Sequence, residues 1–164
     1  MPRTSNRESN YIYREYSELQ SDNACSSFFI LPHDMLRPQR NTFKKSERLC
    51  SRILIDSLFQ GTSHSVSAYP IRAVFLPVAP EVQEGVSVLI SVPKKRFHDA
   101  VDRNRVKRQI REAYRKNKHA LVEQAATMGK GLLVAFVYVS DKIETTDHIE
   151  KRMVRLLDKM KSEL

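Results

Sequence analysis

The sequence contains no tryptophan, two cysteines and four glycines among its 164 residues. The two cysteines, Cys25 and Cys50, are too few for a disulfide framework or a cysteine-based metal cluster. The longest apolar run, residues 131–139, is far shorter than the roughly 18 residues that a membrane span requires. No charged start leads into an apolar stretch of signal-peptide length. These absences predict a soluble, cytoplasmic protein with no membrane partner.

The sequence also has fewer acidic than basic residues: 19 Asp and Glu against 28 Lys and Arg, which gives a net charge of +9. The first 40 residues hold five arginines and five acids, so the whole excess belongs to residues 41–164. A polyanion is therefore the first class of partner to consider. Residues 1–40 show no hydrophobic period, which predicts a disordered extension. A docking peptide around Tyr11, Tyr13 and residues 28–31 is the alternative.

Hydrophobic periodicity divides residues 41–164 into helices and strands. Apolar residues recur at helical spacing from Phe43 to Phe59, and Gly61 follows as a stop signal. Residues 63–67 predict a short strand, and residues 68–78 and 85–92 predict two longer ones. The acidic link between these two favours a hairpin.

The second half of the chain predicts a helix, a strand and a final helix. The helix over Ala100–His119 carries an apolar stripe made of Val101, Val106, Ile110, Ala113 and Tyr114. Residues 132–139 are apolar on both faces, which predicts a central strand. Asp147 and Glu150 form a capping-box-like start for a terminal helix. Its apolar face consists of Ile149, Met153, Leu156, Leu157 and Met160.

The predicted order is therefore α-β-β-β-α-β-α. Because helix 100–119 connects two strands, a βαβ crossover is implied. We expect one α+β domain over residues 41–164, with a single mixed sheet of about four strands packed with three helices.

The most informative segment is Lys94–Lys118, which holds 11 basic residues and three acids. Steps of four, three and four place one set of its residues on a single helical face, namely Asn104, Arg108, Arg111 and Arg115, with Arg103 and Lys107 beside them. Like charges at these spacings repel, so a neutralising partner is expected. A guanidinium group suits phosphate because it donates two parallel hydrogen bonds. The alternative is a solvated basic face that covers an apolar stripe.

Residues for hydrolytic chemistry are not grouped in the sequence. The five histidines are scattered, without H-x-x-x-H or paired-carboxylate spacing. Asp99 and Asp102 are the candidates for metal ligands, but they lie among arginines and are expected to be charge partners. His98 and His119 are expected to be phosphate contacts or exposed. The sequence therefore predicts no metal site and no catalytic residue in the protein.

The run from Arg103 to Arg115, RNRVKRQIREAYR, closely resembles the RNR signature of the bacterial ribonuclease P protein subunit. Val86–Lys95 resembles the family strand that ends in a Ser/Pro-Lys-Lys step. The Phe43-Lys44-Lys45 stretch with Arg48-Leu49 resembles the family's N-terminal region, and residues 131–139 resemble its last strand. The resemblance covers residues 41–164.

This resemblance implies a subunit of a ribonucleoprotein endoribonuclease. The RNA subunit would perform magnesium-dependent removal of the 5′ leader of precursor tRNA, and the protein alone would be inactive. The implied partners are that catalytic RNA and precursor tRNA, with no DNA expected. The implied RNA-binding residues are Lys94, Lys95, Arg103, Asn104, Arg105, Lys107, Arg108, Arg111 and Arg115. The alternative function is a structured-RNA-binding protein, such as a ribosomal protein, without a catalytic complex.

The resemblance also implies a cleft for the single-stranded leader between the first helix and the sheet. Its candidate residues are Phe43, Arg52, Ile55 and Phe59, and the Phe59 ring offers a surface on which a base can stack. Ordinary core filling is the alternative for Phe59.

The sequence departs from the family pattern at three places. Family members often have an aromatic residue where Ile55 stands. The loop Arg96–Asp99 is one residue longer than in many relatives, which have a glycine-bearing turn there. Related subunits usually begin close to Phe43, so Met35 is an alternative start. Residues 1–34 are then expected to be a species-specific extension or the product of a seldom-used upstream start.

Overall fold

The computed structural model describes residues 41–164, so the predictions made for residues 1–40 lie outside the described residues. The elements in order are a short 3-10 helix at Lys45–Glu47, α1 at Arg52–Phe59, β1 at His64–Ala68, β2 at Ile71–Val78, β3 at Val86–Ser91, α2 at Ala100–Asn117, α3 at His119–Thr127, β4 at Gly131–Tyr138 and α4 at Thr146–Glu163. The predicted α+β class and its order are confirmed, with α3 as an additional helix. No helix in residues 41–164 is long and apolar enough to cross a membrane.

The four strands form one mixed sheet in the order β1-β2-β4-β3. β2 pairs antiparallel with both β1 and β4, whereas β3 pairs parallel with β4. The predicted βαβ crossover is therefore confirmed as β3-α2-β4. The predicted hairpin between the second and third strands is wrong, because β4 lies between them. Burial explains this arrangement: β4 is the most apolar strand, and its central position buries it on both faces.

The connection from β2 to β3 crosses the beginning of β4. The Leu132 amide donates to the Gly85 carbonyl at 2.9 Å. A Cβ atom at Gly131 would lie 1.9 Å from the Gln83 carbonyl oxygen. Only glycine therefore allows this close approach of the two backbones.

Each face of the sheet has its own core cluster. α2 and α4 cover one face, where Phe75, Phe136, Tyr114 and Met153 are fully buried. α1 covers part of the other face through Leu58, which packs in one cluster with sheet residues such as Leu133. The predicted apolar face of the terminal helix is confirmed, since all five of its residues are buried.

The first helix is shorter than the sequence predicts. It begins at Arg52 rather than Phe43, and residues 43–51 instead hold the 3-10 helix and a short segment that pairs with the edge of the sheet. Arg48 forms a parallel bridge with Val88, and the Leu49 amide donates to the Val88 carbonyl at 3.0 Å. This segment satisfies backbone groups on the outer edge of β3, which a helix there would leave unpaired.

Two further local expectations are wrong. Thr145 caps α4, accepting a hydrogen bond from the His148 amide at 3.4 Å, whereas Glu150 forms an ion pair with Lys116 at 3.0 Å. Val101 is 78% exposed, because its distance of five residues from Val106 places it on the opposite face of α2, while the rest of the predicted stripe is buried.

Candidate nucleic-acid interface

The basic side chains of α2 lie on the surface opposite its buried stripe. Val106, Ile110 and Tyr114 face the core, and the turns between them direct the polar residues outward. Asn104, Arg105 and Arg108 are exposed, and Lys107, Arg111 and Arg115 are partly exposed. The structure therefore brings together the helical residues that the sequence predicts to bind RNA.

Four of the cations on α2 have no acidic partner within residues 41–164. In this part of the chain, no ion pair involves Arg105, Lys107, Arg108 or Arg111. Uncompensated like charges on one helix are unfavourable without a counter-charge. This surface therefore has the electrostatic character of an anion-binding site.

Arg115 and Arg103 are held by contacts inside the protein. The Arg115 guanidinium donates to both carboxylate oxygens of Glu112, at 2.9 and 2.6 Å, and to the Asn41 carbonyl. The hydrogen bond from Arg115 lowers the pKa of the Glu112 carboxyl. Arg103 Nη1 donates to the carbonyls of Phe97 and His98 at 2.9 and 2.6 Å.

The Arg103 contacts hold the loop that leads from β3 into α2. Phe97 anchors the middle of this loop in the core, with its ring centroid 5.9 Å from that of Tyr138. Lys94 and Lys95, at the start of the loop, are both exposed. Their position at the N-terminal end of α2 extends the basic surface beyond the helix.

An open depression of about 450 Å³ lies between α2 and the beginning of α4. It is lined by Val101, Asn104, Arg105, Arg108, Gln109 and Thr146. The Gln109 amide donates to the Glu144 carbonyl and to Thr146 Oγ1, both at 3.2 Å, which joins the two helices. The depression combines guanidinium groups with an exposed valine, so it can contact both phosphate and the apolar faces of a nucleotide.

The predicted leader-cleft residues divide between two places. Arg52, Ile55 and Phe59 lie at steps of three and four on α1, with Arg52 exposed, Ile55 half-buried and Phe59 51% exposed. Phe43 instead packs edge-on against Tyr114, with ring centroids 5.9 Å apart, in the cluster beneath α2. The structure therefore brings three of the four residues together and places Phe43 apart from them.

The uncovered part of the sheet face beside α1 carries polar residues that the sequence alone does not single out. Ser65, Ser67 and Arg72 share this face with Val74. Arg72 donates from Nη2 to Ser65 Oγ at 3.1 Å and is exposed. The alternation of polar and apolar residues along β1 and β2 was the available signal, but it identifies a wet sheet face rather than a binding site.

Metal-ligating side chains are not clustered in the described part of the chain. Residues 41–164 contain no group of three or more His, Cys, Asp or Glu that could hold a metal ion. Asp99 precedes α2, and its Oδ1 lies 3.6 Å from His98 Nδ1.

Comparison with known families identifies the domain. The family model described as Ribonuclease P matches residues 43–161. The chain belongs to the ribonuclease P protein family. A ribonuclease P protein component of Porphyromonas gingivalis is 39% identical over 123 residues, covering 75% of this chain and 89% of the relative. One of Chlorobaculum tepidum is 46% identical over 66 residues, covering 38% and 43%.

Solved ribonuclease P proteins share the fold. The Staphylococcus aureus protein matches with a TM-score of 0.53 at 22% identity, covering 70% of this chain and 94% of that chain. The Thermotoga maritima protein matches with a TM-score of 0.52 at 20% identity, covering 69% and 96%.

Membership of the ribonuclease P protein family establishes the function of the chain. It is a protein component of ribonuclease P, and its role in tRNA 5′ processing follows from the family. The assignment decides against the alternative of a ribosomal protein.

Proposed function

We propose that this ribonuclease P protein binds the catalytic RNA through α2 and the 5′ leader of precursor tRNA through α1, while the RNA cleaves the phosphodiester. The products are a released leader and a mature tRNA with a 5′ phosphate. We assign the complex to the cytoplasm and expect no DNA partner. The protein alone is expected to be inactive on precursor tRNA.

The observation that carries the RNA-binding proposal is the set of four cations on α2 without an acidic partner in residues 41–164. Phosphate groups provide the missing counter-charge, and arginine binds them with two parallel hydrogen bonds. Lys94, Lys95 and Asn104 contribute from the same end of the helix. The Arg115 guanidinium is held by Glu112 and the Asn41 carbonyl, so Arg115 contributes only through its remaining N–H groups.

Arg103 has a second role in this proposal. Its hydrogen bonds to the Phe97 and His98 carbonyls fix the loop before α2. The loop in turn sets the positions of Lys94 and Lys95. Arg103 thus organises the interface and presents its remaining donors to RNA.

The leader-binding proposal rests on the exposed ring of Phe59. An aromatic side chain that is 51% exposed on a helix offers a face on which an unpaired base can stack. Ile55 adds apolar contact, and Arg52 adds a cation for the leader backbone. Arg72 on the adjoining sheet face extends this surface, whereas a role for Phe43 in it stays a prediction.

Magnesium, when bound, would supply charge stabilisation at the cleaved phosphodiester. We propose that the RNA subunit holds most of it. The described residues do not fit such a site, since neither Asp99 nor Asp102 belongs to a group of three His, Cys, Asp or Glu side chains there that could hold a metal ion. No step of the reaction is therefore assigned to a metal on this chain.

The salt dependence of RNA binding tests the role of α2. Arg108→Ala should weaken binding to the ribonuclease P RNA and flatten the plot of log affinity against log salt by roughly 0.7–0.9 for each phosphate that is no longer neutralised. Lys130→Ala is a matched control, because Lys130 is an exposed cation in the turn between α3 and β4. An unchanged slope for Arg108→Ala would show that α2 does not contact the RNA.

The assignment of catalysis to RNA is tested separately. Protein freed of RNA should leave precursor tRNA intact at every magnesium concentration, and full activity should return on adding the RNA subunit. Cleavage by the RNA-free protein, abolished by Asp99→Asn or Asp102→Asn, would refute the assignment.

A further inference from the structure

A second group of basic side chains lies on α4, outside both α1 and α2. His148, Lys151, Arg152 and Arg155 line an open depression of about 320 Å³ together with Thr145 and Asp147. The steps of three and four between these basic residues place them on one helical face. The opposite face of α4 is the buried one, which includes Ile149, Met153 and Leu156. The basic side chains are therefore directed away from the core.

Acidic neighbours do not neutralise this group. Lys151 and Arg155 make no ion pair within residues 41–164, and Arg152 Nε donates to His148 Nε2 at 3.1 Å. Glu150 is engaged by Lys116 on α2. The remaining acids nearby are Asp147, which lines the depression, Glu144, whose Oε2 lies 3.8 Å from His148 Nδ1, and Asp158, whose Oδ1 lies 3.9 Å from Lys161 Nζ. Positive charge dominates the surface.

This placement of charge is unfavourable for the isolated helix. Lys151 and Arg155 are four residues apart, so their charges repel. A bound anion relieves this repulsion, and the depression is open, which suits an extended phosphate backbone better than a small enclosed ligand.

The α4 surface adjoins the basic surface of α2. Thr146 lines the depression beside Arg105 and Arg108, and its neighbour Thr145 lines the depression beside Arg152. The hydrogen bonds of Gln109 hold the beginning of α4 against α2. An RNA bound on α2 therefore lies next to the beginning of α4.

We infer that the α4 basic face is a second contact for the phosphate backbone of the ribonuclease P RNA. The inference rests on the proposed binding of that RNA by α2. Lys151 and Arg155 bind phosphate directly, and His148 orients Arg152 through their hydrogen bond.

The test compares single and double variants of the full chain. Lys151→Ala and Arg155→Ala should each flatten the salt dependence of binding to the RNA subunit by roughly 0.7–0.9, and the double variant by roughly twice that. Both residues are exposed, so the melting temperature should stay close to that of the wild type. Arg155→Lys should retain the wild-type slope, and Lys130→Ala serves as the control for removal of one surface cation.

The reference variant Arg108→Ala separates the possible outcomes. If its slope falls while that of the α4 double variant is unchanged, the α4 contact is refuted and the role of α2 stands. If neither slope changes, both are refuted. If the α4 double variant weakens only the binding of precursor tRNA to the assembled enzyme, the surface contacts the substrate and its assignment to the RNA subunit is wrong.

Discussion

Alanine variants of Leu58 and Phe59, which are adjacent on α1, should have opposite effects on stability and on binding. Leu58 is fully buried, and Phe59 is 51% exposed. Leu58→Ala should lower the free energy of unfolding by about 2–5 kcal/mol, because it leaves a cavity in the cluster beneath α1. Complete burial of a phenylalanine side chain is worth about 1.5–3 kcal/mol, so Phe59→Ala should cost about 1 kcal/mol.

For binding of precursor tRNA we expect the reverse: Phe59→Ala should have a larger effect than Leu58→Ala. If a leader base stacks on Phe59, Phe59→Ala should weaken precursor tRNA binding by about 1–3 kcal/mol, roughly 5- to 150-fold in Kd. Mature tRNA has no leader, so its affinity should be unchanged. Phe59→Leu keeps apolar bulk but no ring, and should remove most of the same preference.

The assay is equilibrium binding of precursor and mature tRNA to the assembled ribonucleoprotein, with thermal unfolding of each protein variant alongside. The ratio of the two affinities isolates the leader from effects on the RNA subunit. An equal decrease of affinity for both tRNAs, with a melting temperature lowered as far as for Leu58→Ala, would show that Phe59 serves the core and would refute stacking.

Two further predictions concern the fold. Lys118 Nζ lies 2.6 Å from Glu47 Oε1 with only 8% of its side chain exposed, so Lys118→Met should destabilise the domain by about 3 kcal/mol in urea unfolding. Arg96→Ala, which breaks an exposed ion pair, should cost less than about 1 kcal/mol, and equal destabilisation by the two variants would contradict the role of burial. Gly131→Ala should cost about 1–3 kcal/mol in the same assay, because its methyl group meets the Gln83 carbonyl; a neutral effect would show that the loop moves freely.

The local sequence pattern was sufficient to predict the elements that are long and strongly periodic. The buried stripe from Val106 to Tyr114 and the apolar face of α4 follow directly from helical spacing. The apolar character of residues 132–138 indicated the centre of the sheet. The basic face of α2 needs no tertiary information, since its spacing alone places Arg108 and Arg111 together.

Strand order and individual side-chain partners depend on contacts distant in sequence. The short link between β2 and β3 favours a hairpin between these two strands. The burial gained by placing the apolar strand β4 between them outweighs this local preference. The family resemblance grouped Phe43 with Phe59, but Phe43 packs with Tyr114 on the opposite face of the sheet. Arg103 was predicted as an RNA contact, and its bonds to loop carbonyls arise only when the loop folds back over the helix.

The central position of β4 determines when the sheet can form during synthesis on the ribosome. Ile71 pairs with Tyr138, so β2 must wait for most of the chain before its second neighbour emerges. Until then β3 has only the Arg48–Leu49 segment beside it, and the apolar surfaces of both strands are open to water. Pairings that close such long loops form slowly and leave edges exposed to other chains. A chain that lacks β4 therefore leaves one edge of β2 and one edge of β3 unpaired, whereas the hydrogen bonds of α2 are local in sequence and do not require β4.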